Sequence, residues 1–246
     1  APRASPGSAR IEGMREKPSA EPEPVFKKSV AREYLESIVV AVILALFIRT
    51  FAVQAFKIPT GSMEPNLLIG DHLLVNKLVY SPSVASWEDA LFGKKPIQRG
   101  HVVVFKYPEE PWRDFIKRVI GLPGETVEVR GQRVIVDGRP IDDPYAHWTP
   151  RRTDDPESGS FHDGWGPQVV PPGHLLVLGD NRDNSRDSRF WGFLPIDQVK
   201  GRALLVYWSY EATREEYHRT GLVEWMKDTL SAFGRTRWKR FFHVIR

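Results

Sequence analysis

The chain contains no cysteine, which removes disulfides, thiolate metal ligands and a cysteine nucleophile together. Its fold must hold by packing alone, and a catalytic nucleophile would have to be Ser, Thr or Lys. No pair of histidines has the HExxH spacing of a zinc hydrolase. Internal repeats are absent, and no aromatic RNA-binding motif accompanies the basic residues. Membrane-length apolar runs are equally scarce: there is one, Ser37 to Phe56. What is present is 246 residues, 41% hydrophobic, with a net charge of +4 and a pI near 9.3. That length supports one large domain or two modest ones. The basic residues gather near two membrane-suggestive segments, so the excess suits anionic lipid and not nucleic acid.

The apolar run, SIVVAVILALFIRTFAVQAF, is interrupted only by Arg49, Thr50 and Gln54. A span needs roughly 20 residues at 1.5 Å rise, so the run predicts a transmembrane anchor over 37–56. Arg49 lies near its C-terminal end, where a long stem carries the guanidinium to the headgroups. Lys27, Lys28 and Arg32 precede the run, which places residues 1–36 in the cytoplasm and the rest outside. A buried core helix and a cleaved secretory signal ending at Val53-Gln54-Ala55 are the alternatives; the long polar stretch before the run speaks against the signal. Residues 1–26, rich in Pro, Glu, Ala and Ser, are expected to form a disordered tail.

Beyond the run, short Val/Leu/Ile-rich segments bounded by Gly, Pro and Asp predict an antiparallel, mainly β body. They are Leu73–Val79, Val102–Tyr107, Asp114–Ile120, Thr126–Val129, Val134–Val136, Leu175–Leu178 and Ala203–Trp208. Gly131 marks a hairpin turn within Glu128–Val134. The stretch from about Asp142 to Pro172, rich in Pro, Asp, His and Trp, is expected to be a looped insertion. Leu222, Val223, Trp225, Met226, Leu230 and Phe233 follow a 3.6-residue period and lead into a basic-aromatic tail, Arg235 to Phe242. This C-terminal amphipathic helix, within 211–246, suits either a bilayer surface or the β body.

The segment Ile58-Pro59-Thr60-Gly61-Ser62-Met63-Glu64-Pro65 presents one small nucleophile, Ser62, on a constrained backbone directly after the apolar run. A serine hydroxyl needs a base. Seven histidines are available, none in a local pattern that marks a triad member. Lys117, in Asp114-Phe115-Ile116-Lys117-Arg118-Val119-Ile120, is the other candidate, because apolar strand neighbours could desolvate its amine. At a reference pKa of about 10.4 only about one lysine in a thousand is free base at neutral pH, so the role demands a depression of several units. The bland reading is that Lys117 or Arg118 is the solvent-facing residue of an alternating strand. Pro65, three residues after Ser62, excludes the Ser-x-x-Lys motif of penicillin-binding enzymes. The block Gly179 to Arg189 resembles a calcium loop, but Arg182 and Arg186 occupy ligand-like spacings.

The anchor followed by FKIPTGSMEPNLLIGDHLLVNK, FIKRVIGLPGE and GDNRDNSRDSRFWGFLP resembles bacterial type I signal peptidase, also called leader peptidase, over roughly Ser37 to Trp208. The resemblance implies a membrane-bound serine endopeptidase with a Ser-Lys dyad that removes signal peptides from exported preproteins after an Ala-X-Ala type junction. It also implies a mainly β catalytic core in 57–210 carrying an inserted second domain, about 126–172. By motif position, Ser62 is similar to the nucleophile and Lys117 to the general base. Thr60 and the Ser62 amide match the oxyanion donors, with Thr where many members have Ser. Ser185 matches a residue orienting the lysine, Asp187 and Arg189 a supporting ion pair, and Phe56, Ile58, Met63, Leu67 and Ile116 the pockets for small substrate side chains. No cofactor or metal is implied. The expected partners are preproteins and the lipid bilayer, with proximity to the translocon, and the expected place is the bacterial cytoplasmic membrane, single-pass, with the catalytic domain outside. The competing classes are a self-cleaving repressor, which would need a DNA-binding helix-turn-helix, and a membrane-anchored, non-enzymatic lipid- or partner-binding β module.

Overall fold

The computed structural model describes residues 29–80, 96–149, 164–212 and 234–245. The chain divides into two units, Ala1–Ile43 and Leu44–Arg246. Helix α1 (Val30–Phe47) opens on a charged turn in which Arg32 Nε donates to Glu36 Oε1 at 3.0 Å, one turn on. From Ile38 to Phe47 it is apolar on every side, and no residue of the helix is buried. A π-helical turn, Ile48–Ala52, follows, and the backbone becomes extended at Val53.

The helix therefore stops short of the expected 37–56 span. Residues 53–56 belong to strand β1 (Val53–Lys57), which pairs with β2 (Asp71–Asn76) so that Phe56 faces Leu73. Among the described residues no helix is long and apolar enough to cross a membrane. An apolar run does not reveal where helix gives way to strand; here β2 supplies the backbone partners that let the chain extend.

The body is mainly β and antiparallel, as the sequence predicts. All seven expected strands form: β2, β3 (Val102–Lys106), β4 (Asp114–Gly121), β5 (Thr126–Arg130), β6 (Arg133–Val136), β9 (His174–Leu178) and β11 (Val199–Ser209). Short strands β7 (Arg139–Pro140), β8 (Trp165–Val169), β10 (Leu194–Pro195) and β12 (His243–Val244) complete two sheets. The larger runs β1-β2-β11-β3-β4-β9-β10, with β12 on β11; the smaller runs β7-β6-β5-β8. Arg130 pairs with Arg133 across Gly131 and Gln132, whose φ values of 54° and 62° fit the doubly left-handed two-residue hairpin turn. The stretch expected to be a looped insertion, from about Asp142 to Pro172, contains β8. Its Gly166 and Pro167 and its one-sided pairing to β5 mark an edge strand, which lacks the alternation of a half-buried one.

Side chains at alternate positions on β2 are buried, and Leu73 and Val75 join Ile58, Met63, Leu67, Val102 and Val206 in one core cluster. A second cluster joins the two sheets, Val127, Val129, Val134 and Val136 packing on Ile120, Leu176 and Leu178. The expected helix over 222–233 and the tail over 1–26 lie outside the described residues. The basic-aromatic segment after it is docked on the body. Arg240 pairs with the fully buried Asp71 at 2.7 Å and donates to the Asn66 carbonyl, Arg237 donates to the Ile69 carbonyl, and β12 pairs with β11.

Candidate active site

Ser62 sits in a single 3-10 turn, Gly61–Met63, entered from an extended Thr60 (φ −135°, ψ 152°). Strand β1 brings the chain to this turn and β2 takes it away, with the Ile58 amide bonded to the Asp71 carbonyl at 2.9 Å. Strand β4 carries Lys117 opposite. Lys117 Nζ lies 2.7 Å from Ser62 Oγ and 3.0 Å from the Ile116 carbonyl, and 3% of Lys117 is exposed. The two residues are far apart in the chain; the sheet order β1-β2-β11-β3-β4-β9 and the bond from the Asn181 amide, just after β9, to the Ser62 carbonyl bring them together. No described histidine hydrogen-bonds Ser62.

Burial pushes the Lys117 amine down from the usual lysine range to about 8; Asp187 and Asp180 oppose the shift and Arg189 adds to it. At that value about a tenth of the lysine is neutral at pH 7. The expected depression is therefore present, and its main cause is desolvation. An uncharged amine within hydrogen-bond reach of a hydroxyl can take its proton.

Segment 179–191 lines the same cleft as the amine, through Asp183, Asn184, Ser185, Arg186 and Phe190. Asp187 accepts from Arg189 through both carboxylate oxygens at 2.8 Å, both side chains being fully buried, and caps the short helix α2 (Ser188–Trp191) through the Arg189 amide. Its Oδ2 also accepts from the Gly179 amide at 3.0 Å. Ser185 lines the same cleft as Ser62 and Lys117, yet its buried Oγ has no hydrogen-bond partner. The expected bond from Ser185 to the lysine is thus not formed in this structure. Thr60 is exposed and lines the cleft, and its side chain makes no capping bond. Ile58, Met63 and Leu67 are buried in the core with Phe56 and Ile116 packed against them. None of these five lines the 440 Å³ cleft beside the dyad.

Three supporting residues carry no chemical motif in the sequence. Asn181 holds the Ser62 turn: its amide N–H donates to the Ser62 carbonyl and its side chain to the Gly61 carbonyl, each at 3.1 Å. Gly179 lies so close that a Cβ there would stand 2.5 Å from the Ser62 carbonyl and 2.2 Å from Ser185 Oγ. Arg118, which alternation turns to the other face of β4, makes a buried two-pronged pair with Asp180 at 2.8 and 2.7 Å, and Asp180 also accepts from Asn66 at 3.0 Å. The only sequence signal for these three was their place inside the Ser62, Lys117 and Gly179 blocks.

Comparison with known proteins meets the same segments. Residues 31–208 match the model of the family described as "Signal peptidase, peptidase S26". A signal peptidase I from Leptolyngbya laminosa is 40% identical over 72% of this chain and 79% of its own length. The signal peptidase I of Aquifex aeolicus is 36% identical over 72% of this chain and 84% of its own, and that of Pseudomonas fluorescens 31% over 91% and 90%. On the extent of these matches, which span every segment that builds the site, the chain belongs to the signal peptidase family, peptidase S26.

Proposed function

We propose that this protein is a serine endopeptidase that cuts signal peptides from exported preproteins through a Ser62–Lys117 dyad. The observation that carries it is the 2.7 Å contact between Ser62 Oγ and a lysine amine that burial keeps largely free of competing water. Neutral Lys117 removes the hydroxyl proton as Oγ attacks the scissile carbonyl. The Ser62 amide and the Thr60 hydroxyl face the developing oxyanion; Thr60, exposed at the cleft, can turn to it once substrate is present. Protonated Lys117 then gives its proton to the leaving amine and, neutral again, activates the water that releases the acyl group.

Asp187 paired with Arg189 braces the segment that carries Ser185, whose unengaged hydroxyl can take up the lysine when the proton moves. Phe56 and Ile116, half-buried beside Ile58, Met63 and Leu67, suit shallow recognition of the small side chains of an Ala-X-Ala junction. The reading places the catalytic domain in 57–210, with the smaller sheet as an inserted domain in about 126–172. It also places the protein at the cytoplasmic membrane, near the translocon and with that domain outside. The exposed apolar surface of α1 from Ile38 onward supports this placement, because a helix apolar all round needs a non-aqueous neighbour. Tethering enzyme and signal peptide to one plane raises their effective concentration.

The test is cleavage of a preprotein with an Ala-X-Ala junction by the detergent-solubilised chain, with the cut located from product mass. Cutting after the second Ala by wild type and none by Ser62→Ala is expected. Equal cutting by a folded Ser62→Ala would overturn the proposal.

A further inference from the structure

The cleft that holds Ser62 and Lys117 has a charged wall that the dyad does not use. Arg186 Nη2 donates to Glu109 Oε2 at 2.9 Å, and Arg113 Nη1 donates to Glu110 Oε2 at 2.9 Å. The two arginine side chains are 66% and 55% exposed, and both line the cleft. Glu109 does not line it: the Tyr107 hydroxyl also donates to its carboxylate, and Tyr107 is stacked on Phe115 with ring centroids 4.2 Å apart. The wall therefore offers guanidinium donors to the cleft while one of their carboxylate partners is held back from it.

Where the cleft lies along a substrate follows from the dyad reading, on which this inference rests. Neighbouring residues of a strand point to opposite faces. Ile116 turns toward Ile58, Met63 and Leu67, the positions matched to recognition before the cut; Phe115 and Lys117 turn to the cleft. An extended chain leaves Ser62 in both directions, so the cleft receives the residues after the cut. Exposed ion pairs of this kind are weak, so an incoming carboxylate can replace Glu109 or Glu110 at small cost, and the guanidinium fork has donors to spare.

We propose that Arg186, together with Arg113, forms a subsite for acidic side chains in the first residues of the mature protein, which makes Arg186 a specificity-determining residue. The test uses two preproteins that differ only in Asp or Asn at the second position after the junction, and reads the ratio of their kcat/KM values within each enzyme. Wild type is expected to favour Asp by about threefold at low salt, falling as salt rises. Arg186→Gln should bring the ratio close to one. Glu109→Gln, which removes the negative charge paired with Arg186, should raise it. A change confined to fold or loop mobility would move both variants the same way, so opposite directions are diagnostic. A wild-type ratio of one, a ratio retained in Arg186→Gln, or a fall in both variants would overturn the proposal. Persistent cutting by Ser62→Ala would instead remove the dyad reading beneath it.

Discussion

Asn181 grips the Ser62 turn at two points, its backbone N–H on the Ser62 carbonyl and its side-chain amide on the Gly61 carbonyl, each at 3.1 Å. The same segment, 179–191, carries the buried Asp187–Arg189 pair and, through Asp180, holds Arg118, the chain neighbour of Lys117. One segment thus braces both the Ser62 turn and the strand that carries Lys117, which matters because about 1 Å of misplacement can cost on the order of a hundredfold in rate.

Asn181→Ala keeps the backbone bond and removes the side-chain one. Its kcat for preprotein cleavage is expected to fall roughly tenfold, with stability reduced by about 1 kcal/mol, the size of one hydrogen bond. Steady-state kinetics and denaturant unfolding check the two parts.

Gly179→Ala has no room. The added carbon would meet the Ser62 carbonyl at 2.5 Å and Ser185 Oγ at 2.2 Å. Because backbone cannot give way as a side-chain tip can, we expect a loss of about 1–3 kcal/mol in unfolding free energy and most of the activity. Unchanged cleavage by this variant would show that the turn and the 179–191 segment move independently.

Lys117 is costly to the fold. Its folded pKa of about 8 lies below the ordinary 10.5, so the unfolded chain binds more protons between those values and stability rises with pH there. Below about pH 8 the penalty is fully present, on the order of 3 kcal/mol, against which two hydrogen bonds contribute about 1 kcal/mol each. Lys117→Met is therefore expected to be about 1 kcal/mol more stable than wild type at pH 7 while inactive. The advantage should vanish toward pH 10, as thermal unfolding across pH would show.

Arg240→Ala leaves Asp71 without its ion-pair partner, and that carboxylate is fully buried. A buried charge deprived of its partner costs about 3–5 kcal/mol, tempered here by the 18% exposure of the arginine side chain and by the Leu68 amide that still donates to Asp71. A loss of about 2 kcal/mol by denaturant unfolding is expected, and Asp71→Asn with Arg240→Ala should recover part of it.

Much of this was legible in the chain. The strands β2 to β6, β9 and β11 follow from short Val/Leu/Ile runs between turn residues, and the Gly131 hairpin from its turn chemistry. Ser62 stands out on its constrained turn, whereas Lys117 reads equally as the solvent-facing residue of an alternating strand; the resemblance pairs it with Ser62, and the structure brings the two side chains to 2.7 Å. Less legible were features set by tertiary partners. Val53–Phe56 is apolar enough for a helix and becomes a strand because β2 lies beside it. β8 is an edge strand with no alternation to betray it. The C-terminal pattern suits a bilayer surface or the β body equally, and the choice is made by Arg237 and Arg240, engaged by the Ile69 carbonyl and by Asp71 in contacts across most of the chain that local pattern does not encode. Asn181 and Gly179 act through backbone carbonyls, and residue type alone does not signal that.

The most direct measurement is the rate of preprotein cleavage as a function of pH for wild type and Lys117→Ala. The dyad predicts that wild-type kcat/KM rises with an apparent pKa near 8 as Lys117 loses its proton, and that Lys117→Ala is slower by about a hundredfold or more and lacks that step. A step near the ordinary histidine value of about 6.5, or a Lys117→Ala enzyme that keeps the wild-type rate and profile, would contradict it.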